Sequence, residues 1–146
     1  MYPFQTHYRY LNSCSSLQHN QLQSIEAGFK AEQFALYYQP KINMRTGIVH
    51  GAEALLRWIH PERGLIPPLS FLPIIEETAL EIEVGNWVIN QALQQLDQWQ
   101  QQDIHLEVSV NISSHHLQWD GFYQELENAL AKYPQVSSDC LQLEIL

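Results

Sequence analysis

Asn43-Met44-Arg45-Thr46-Gly47-Ile48-Val49-His50-Gly51-Ala52-Glu53-Ala54-Leu55-Leu56-Arg57-Trp58 is the stretch whose reading decides the fold. Asn43 to Gly47 has the composition of a turn, and Ile48 to Trp58 reads as a strand. Before the turn, Phe34-Ala35-Leu36-Tyr37-Tyr38-Gln39 reads as another strand, rich in aromatics and closed by Pro40. So short a connection predicts an antiparallel hairpin. Towards the N-terminus, helical spacing begins at Leu22 and continues through Ile25, Phe29 and Ala31, weakened but not stopped by Gly28. Residues 1–21 show no sustained period and read as a linker or N-terminal extension.

Towards the C-terminus, His60 to Pro68 is a loop by its Pro and Gly punctuation. Ser70 is the expected N-cap of a short helix to about Thr78, with Pro73 in its first turn. A longer helix over about Glu81–Gln102 carries Val84, Trp87, Val88, Ala92, Leu96 and Trp99 on one face. A strand at His105–Ser113, a helix at about Gly121–Lys132 and a strand at Leu141–Leu146 complete the order. A hairpin followed by helix, strand, helix, strand is an α/β chain of about four strands, the later ones parallel through helical crossovers.

The chain has 146 residues and a net charge of -9, with seven Lys+Arg against sixteen Asp+Glu. That length fits one domain with a real core. The acidic balance argues against a reader of nucleic acid polymers, which needs cations for the phosphates. No apolar run is long enough for a membrane span, and the N-terminus lacks the basic start and apolar run of a secretory signal. With Cys14 and Cys140 far apart and in no metal-ligand spacing, free thiols in a cytoplasmic protein are expected.

Strand alternation sorts the polar side chains onto common faces. Glu53, Leu55 and Arg57 oppose Ala54, Leu56 and Trp58. His105, Glu107, Ser109 and Asn111 oppose Leu106, Val108, Val110 and Ile112, and Gln142, Glu144 and Leu146 oppose Leu141, Leu143 and Ile145. If the apolar faces pack under helices, Glu53, Asn111 and Glu144 converge as oxygen ligands of the kind hard divalent ions prefer. A half-covered sheet with one solvated face gives the same pattern, so periodicity leaves both readings open.

Particular motifs discriminate further. Glu53-Ala54-Leu55-Leu56-Arg57-Trp58 resembles the signature of the EAL domain family, the cyclic di-GMP phosphodiesterases of bacterial second-messenger signalling. Tyr37-Tyr38-Gln39-Pro40 resembles that family's opening strand, and Pro67 to Thr78 its loop and helix start. Val110-Asn111-Ile112-Ser113 and Leu141-Gln142-Leu143-Glu144-Ile145 resemble two further strands, in family order and spacing. The resemblance implies a modified TIM-like (β/α) barrel whose first strand is antiparallel. It implies cyclic di-GMP as ligand and Mg²⁺ or Mn²⁺ as cofactor, with hydrolysis to pGpG. It further implies Glu53, Asn111 and Glu144 as metal ligands, Arg57 on a ligand phosphate, Gln39 against the nucleotide, and Leu56 beside the strand mouth.

Each residue also has a plain structural reading: Arg57 as a surface arginine, Asn111 as a turn residue, Glu144 in a frayed chain end. Glu107 and His105 match no family ligand, His115-His116 reads as a loop pair opening a helix, and Trp87 and Trp99 as core. Ala79-Leu80-Glu81 replaces the family's Gly-Leu-Ile, predicting a less sharp break between two helices. The family's downstream Asp pair, Lys and Glu residues have no counterpart here. A barrel of this class needs about 250 residues, so residues 22–146 are expected to be the first half of one. Two functions are compatible with this: part of a phosphodiesterase that is inactive alone, or a non-catalytic module binding cyclic di-GMP or protein. Open strand edges predict self-association.

Overall fold

A computed structural model describes the backbone of residues 3–146 and the side chains from residue 16 onwards. Helix α1 (Pro3–Lys30) takes in residues on both sides of Leu22, and no Pro or Gly interrupts the sequence between Phe4 and Ala27. It ends with Glu32 in the left-handed region (φ 58°), while Gln33 N–H donates to Gly28 and Glu32 N–H to Phe29. This is a Schellman cap with Glu where Gly is usual.

The hairpin forms as expected. Strand β1 (Phe34–Ile42) pairs antiparallel with β2 (Val49–His60), with Gln39 opposite Glu53 and Phe34 opposite Trp58. At its tip the Asn43 side chain accepts from Arg45 and Thr46 N–H, and Gly47 supplies the positive φ the turn requires (70°). Pro40 does not close β1. The strand continues through it, because β1 lies on the edge of the sheet and an edge strand tolerates a residue without N–H.

The expected loop at 60–68 contains a short strand, β3 (Gly64–Ile66), folded back antiparallel onto the end of β2. Ser70 is not an N-cap. It ends a 3₁₀ turn at Pro68–Ser70, and helix α2 (Leu72–Ile75) starts from Phe71 without a side-chain cap, Pro73 being in its first turn as predicted. The break before helix α3 (Ala79–Gln101) is sharp despite Ala79, since Glu77 itself adopts φ 59°. Strand β4 (Glu107–Ile112) runs parallel to β2, leaving His105 outside it. The one-turn helix α4 (Ser114–Gln118) and α5 (Phe122–Ala131) lead to β5 (Leu141–Ile145), parallel to β4. The fold is thus mixed α/β, with five strands rather than four in an open sheet ordered β1-β2-β4-β5, β3 pairing β2.

One face of this sheet is the core. Ala54, Trp58, Val108, Val110 and Ile112 are buried there with Val84, Val88, Ala92, Leu93 and Leu96 of α3 and with Phe122 and Ala129 of α5. Trp87 and Trp99 pack at the margin of this core, edge-on to Phe29 and Tyr38. Trp58 stacks on Phe34 (5.6 Å) and meets Phe71 edge-on, which ties β1, β2 and the segment before α2 together. Cys140 is a free thiol that burial, with Glu107 and Asp139 nearby, pushes above its ordinary pKa. Cys14 lies outside the described side chains. No described helix is long and apolar enough to cross a membrane.

His116 shows how tightly α3 and α4 meet. It is 1% exposed, its backbone N–H is capped by Ser113 Oγ, and its Nε2 lies 2.8 Å from Asn86 Oδ1. A Cβ on Gly85 would lie 2.4 Å from its Nδ1. Gly85→Ala gains about 1 kcal/mol of helix propensity. The ring has nowhere to move, however, and overpacking costs typically about 1–3 kcal/mol. Urea unfolding is expected to show a net loss of stability, whereas a rise would mean that α4 yields freely.

Candidate functional site

The sheet face opposite the core collects the polar side chains. Cross-strand register places Gln39 beside Glu53, Glu53 beside Ser109, Ser109 beside Gln142 and Asn111 beside Glu144. Alternation therefore brings Gln39, Glu53, Arg57, Asn111 and Glu144 to one surface. Leu56 falls on the other face, packed against the core. There it lines a cleft of about 530 Å³ between the ends of β2 and β4 and the starts of α3 and α4, a cleft that also reaches Asn111.

Asn111 and Glu53 are in direct contact, the Asn111 amide donating to Glu53 Oε1 at 3.2 Å. Glu144 is bonded from further away. The ammonium of Lys41, on β1, donates to its Oε1 at 3.1 Å and holds the carboxyl below its ordinary pKa. Ser109 Oγ, buried between these groups, makes no hydrogen bond of adequate geometry, and its dipole supplies only a lesser part of the pull on Glu144. Arg57 lies over the Tyr37 ring, 5.7 Å from its centre, and donates to Leu56 O at 3.1 Å. These contacts use only part of its five-donor fork, so further donors remain for a ligand.

Among the described residues no three His, Cys, Asp or Glu side chains gather. The donor set available to a cation is two carboxylates, one amide oxygen and one buried hydroxyl. Hard oxygen donors of this kind suit Mg²⁺ or Mn²⁺ and not a soft metal. To ligate, Asn111 must rotate its amide to present Oδ1, a change of rotamer and not of fold.

Two features of the region were not foreseen. Lys41 shares the i, i+2 alternation of Gln39, so strand parity alone could have placed it on this face. The other is Glu81, whose Oε2 accepts from Glu77 N–H (3.1 Å) and lies 2.8 Å from His115 Nδ1, fastening α4 to the start of α3. The His115-His116 pair is thus an anchor inside a helix and not a loop pair.

Burial lowers the His116 pKa from its ordinary 6.5, opposed by Glu81 and aided by His115. The unfolded chain therefore binds this proton first as pH falls. The contribution of His116 to stability is complete above about pH 6.5 and is lost as pH drops through its lower folded value. Thermal melts from pH 8 to pH 5 should show a decline below pH 6.5 that His116→Gln flattens. An equal slope in the variant would contradict the assignment.

Similarities to known proteins bear on the family and the fold. The EAL domain family model matches residues 22–146. The cyclic di-GMP phosphodiesterase PA2567 of Pseudomonas aeruginosa is 41% identical over 113 residues, which are 77% of this chain and 19% of that protein. The cyclic di-GMP phosphodiesterase PdeR of Escherichia coli is 40% identical over 107 residues, 73% of this chain and 16% of that protein. The chain therefore spans less than a fifth of these two relatives. A solved structure described as a PaMucR phosphodiesterase, c-di-GMP complex superimposes with TM-score 0.79 and 34% identity, covering 85% of this chain and 50% of that one. The cGMP-bound EAL enzyme Bd1971 gives 0.86 and 31%, covering 96% and 40%. These EAL structures are TIM-like barrels, and the five-stranded sheet described here is open. From its motifs, its sheet order and these matches, the chain belongs to the EAL domain family.

Proposed function

We propose that the polar sheet face binds cyclic di-GMP through divalent cations, and that these 146 residues alone do not hydrolyse it. The observation that carries the reading is the contact of Asn111 with Glu53, with Glu144 next to Asn111 in the ladder, on the sheet face opposite the core. In this reading Glu53, Asn111 and Glu144 hold Mg²⁺ or Mn²⁺. Arg57 takes a phosphate with the donors that Leu56 O leaves free. Gln39 lies against the nucleotide, and Leu56 supports the strand mouth from the core side. A bound cation would neutralise phosphate charge and lower the pKa of a water. The protein's own part is to fix the phosphate between Arg57 and the carboxylates.

Hydrolysis requires the attacking and leaving oxygens to be stabilised together, and two carboxylates on an open sheet supply one side of such a clamp. Incubating the chain with cyclic di-GMP and Mn²⁺, then separating nucleotides by chromatography, should yield no pGpG. Metal-dependent pGpG would overturn the claim of inactivity. Residues 22–146 form the proposed signalling domain, acting in the cytoplasm, and 1–21 its N-terminal extension.

A second element of the proposal is self-association. The edges of β1 and β5 offer unpaired backbone groups, and Ile42 and Ile145 are exposed there. Sedimentation at micromolar concentration should show a dimer or larger species; a well-folded monomer would contradict this.

A further inference from the structure

We propose that Lys41 is a built-in counter-cation of the metal centre: its ammonium holds Glu144 while no divalent ion is bound and must release it for one to bind. The inference rests on Glu144 being a metal ligand. Lys41 and Glu144 lie 103 positions apart, on the two edge strands of the path β1-β2-β4-β5. Three strand spacings of a flat sheet amount to about 14 Å, yet Nζ and Oε1 are 3.1 Å apart. Two extended side chains leaning in from the opposite edges close that span, and the bond passes over the strands that carry Glu53 and Asn111.

Of the cations placed on this face, Arg57 is engaged with Tyr37 and Leu56 O, so Lys41 alone is paired with a proposed ligand carboxylate. The Asn111 amide plays the neutral counterpart, donating to Glu53. Both carboxylates are thus satisfied by donors of the protein itself. A divalent ion at Glu144 cannot share that oxygen with an ammonium, because like charges in contact repel. Metal binding at this oxygen and the Lys41–Glu144 pair oppose each other, and each weakens the other by the same factor. Once released, the ammonium remains on the face where Gln39 and Arg57 would meet an anionic phosphate.

The test measures Mn²⁺ binding to the full 146-residue chain without nucleotide, by the loss of the free-ion paramagnetic resonance signal. Lys41→Met keeps the aliphatic stem and removes the charge. It is expected to tighten Mn²⁺ binding by up to about fivefold, the most an exposed ion pair supplies, while Lys41→Arg leaves it near the original value. Equal or weaker binding by Lys41→Met overturns the inference but leaves the metal-centre reading standing. No binding by either chain overturns both. On the unsubstituted chain, Lys41 side-chain resonances should shift with Mg²⁺ and saturate, and should not do so with NaCl of equal ionic strength; indifference to Mg²⁺ overturns the inference without any variant.

Discussion

Trp58→Ala is expected to destabilise the domain by about 3–5 kcal/mol, the range for removing a buried large aromatic. Trp58 is 3% exposed and joins three segments that are distant in sequence. Its ring stacks on Phe34 at 10° and 5.6 Å, and Phe71 meets it at 86° and 5.7 Å. Its Nε1–H donates to Gln33 Oε1 at 3.0 Å, at the cap that ends α1. The packing leaves no room to collapse inward from that side, since even a Cβ on Gly28 would lie 2.8 Å from Nε1. A cavity therefore remains, and Gln33 loses its donor. Typical domains are stable by about 5–15 kcal/mol, so the variant should lose a large share of the total. Trp58→Phe retains most of the area and loses the hydrogen bond, and should lose about a third as much. Urea unfolding followed by circular dichroism measures both, and a loss below 1 kcal/mol in the alanine variant would contradict the core described.

Glu53→Gln is expected to leave the fold intact and to abolish metal-dependent ligand binding. Glu53 is half-buried, and its described hydrogen bond is the one it accepts from Asn111, which a glutamine oxygen can still accept. Removing one carboxylate from a chain of net charge -9 relieves repulsion, so the thermal midpoint should hold or rise. Binding behaves differently, because an amide is a much poorer ligand for a hard cation than a carboxylate. Loss of an outer partner in metal sites already costs about 10–100-fold in affinity, and loss of a ligand should cost at least that. Equilibrium dialysis of Mn²⁺ and of cyclic di-GMP measures both affinities. Unchanged metal affinity in Glu53→Gln would remove Glu53 from the centre.

The sequence made the sheet legible because its information is periodic. Glu53, Leu55 and Arg57 alternate with Ala54, Leu56 and Trp58, and Ala54 and Trp58 are buried while Leu56 is half-buried against the core. Motif order identified the family independently of burial. The local misreadings were at breaks, where single residues override composition. Pro40 reads as a stop only if its N–H is needed, and an edge strand does not need it. Ser70 reads as a cap only if the helix starts there, and the preceding 3₁₀ turn delays the start. Glu77 takes a left-handed conformation that its side chain does not advertise. Within the site, alternation and resemblance together named Glu53, Asn111, Glu144, Gln39 and Arg57 for one face. Resemblance placed Leu56 at the mouth, whereas alternation had already put it on the core face. The Lys41–Glu144 bond was not legible, since it depends on two side chains meeting across four strands and on no local pattern.

The most direct test is a calorimetric titration of cyclic di-GMP into the purified chain, with Mn²⁺ present and again with Mn²⁺ removed by chelation. The account predicts saturable binding with Mn²⁺ that is lost on chelation and lost in Arg57→Ala. No binding in either condition, or binding indifferent to the metal, would contradict it.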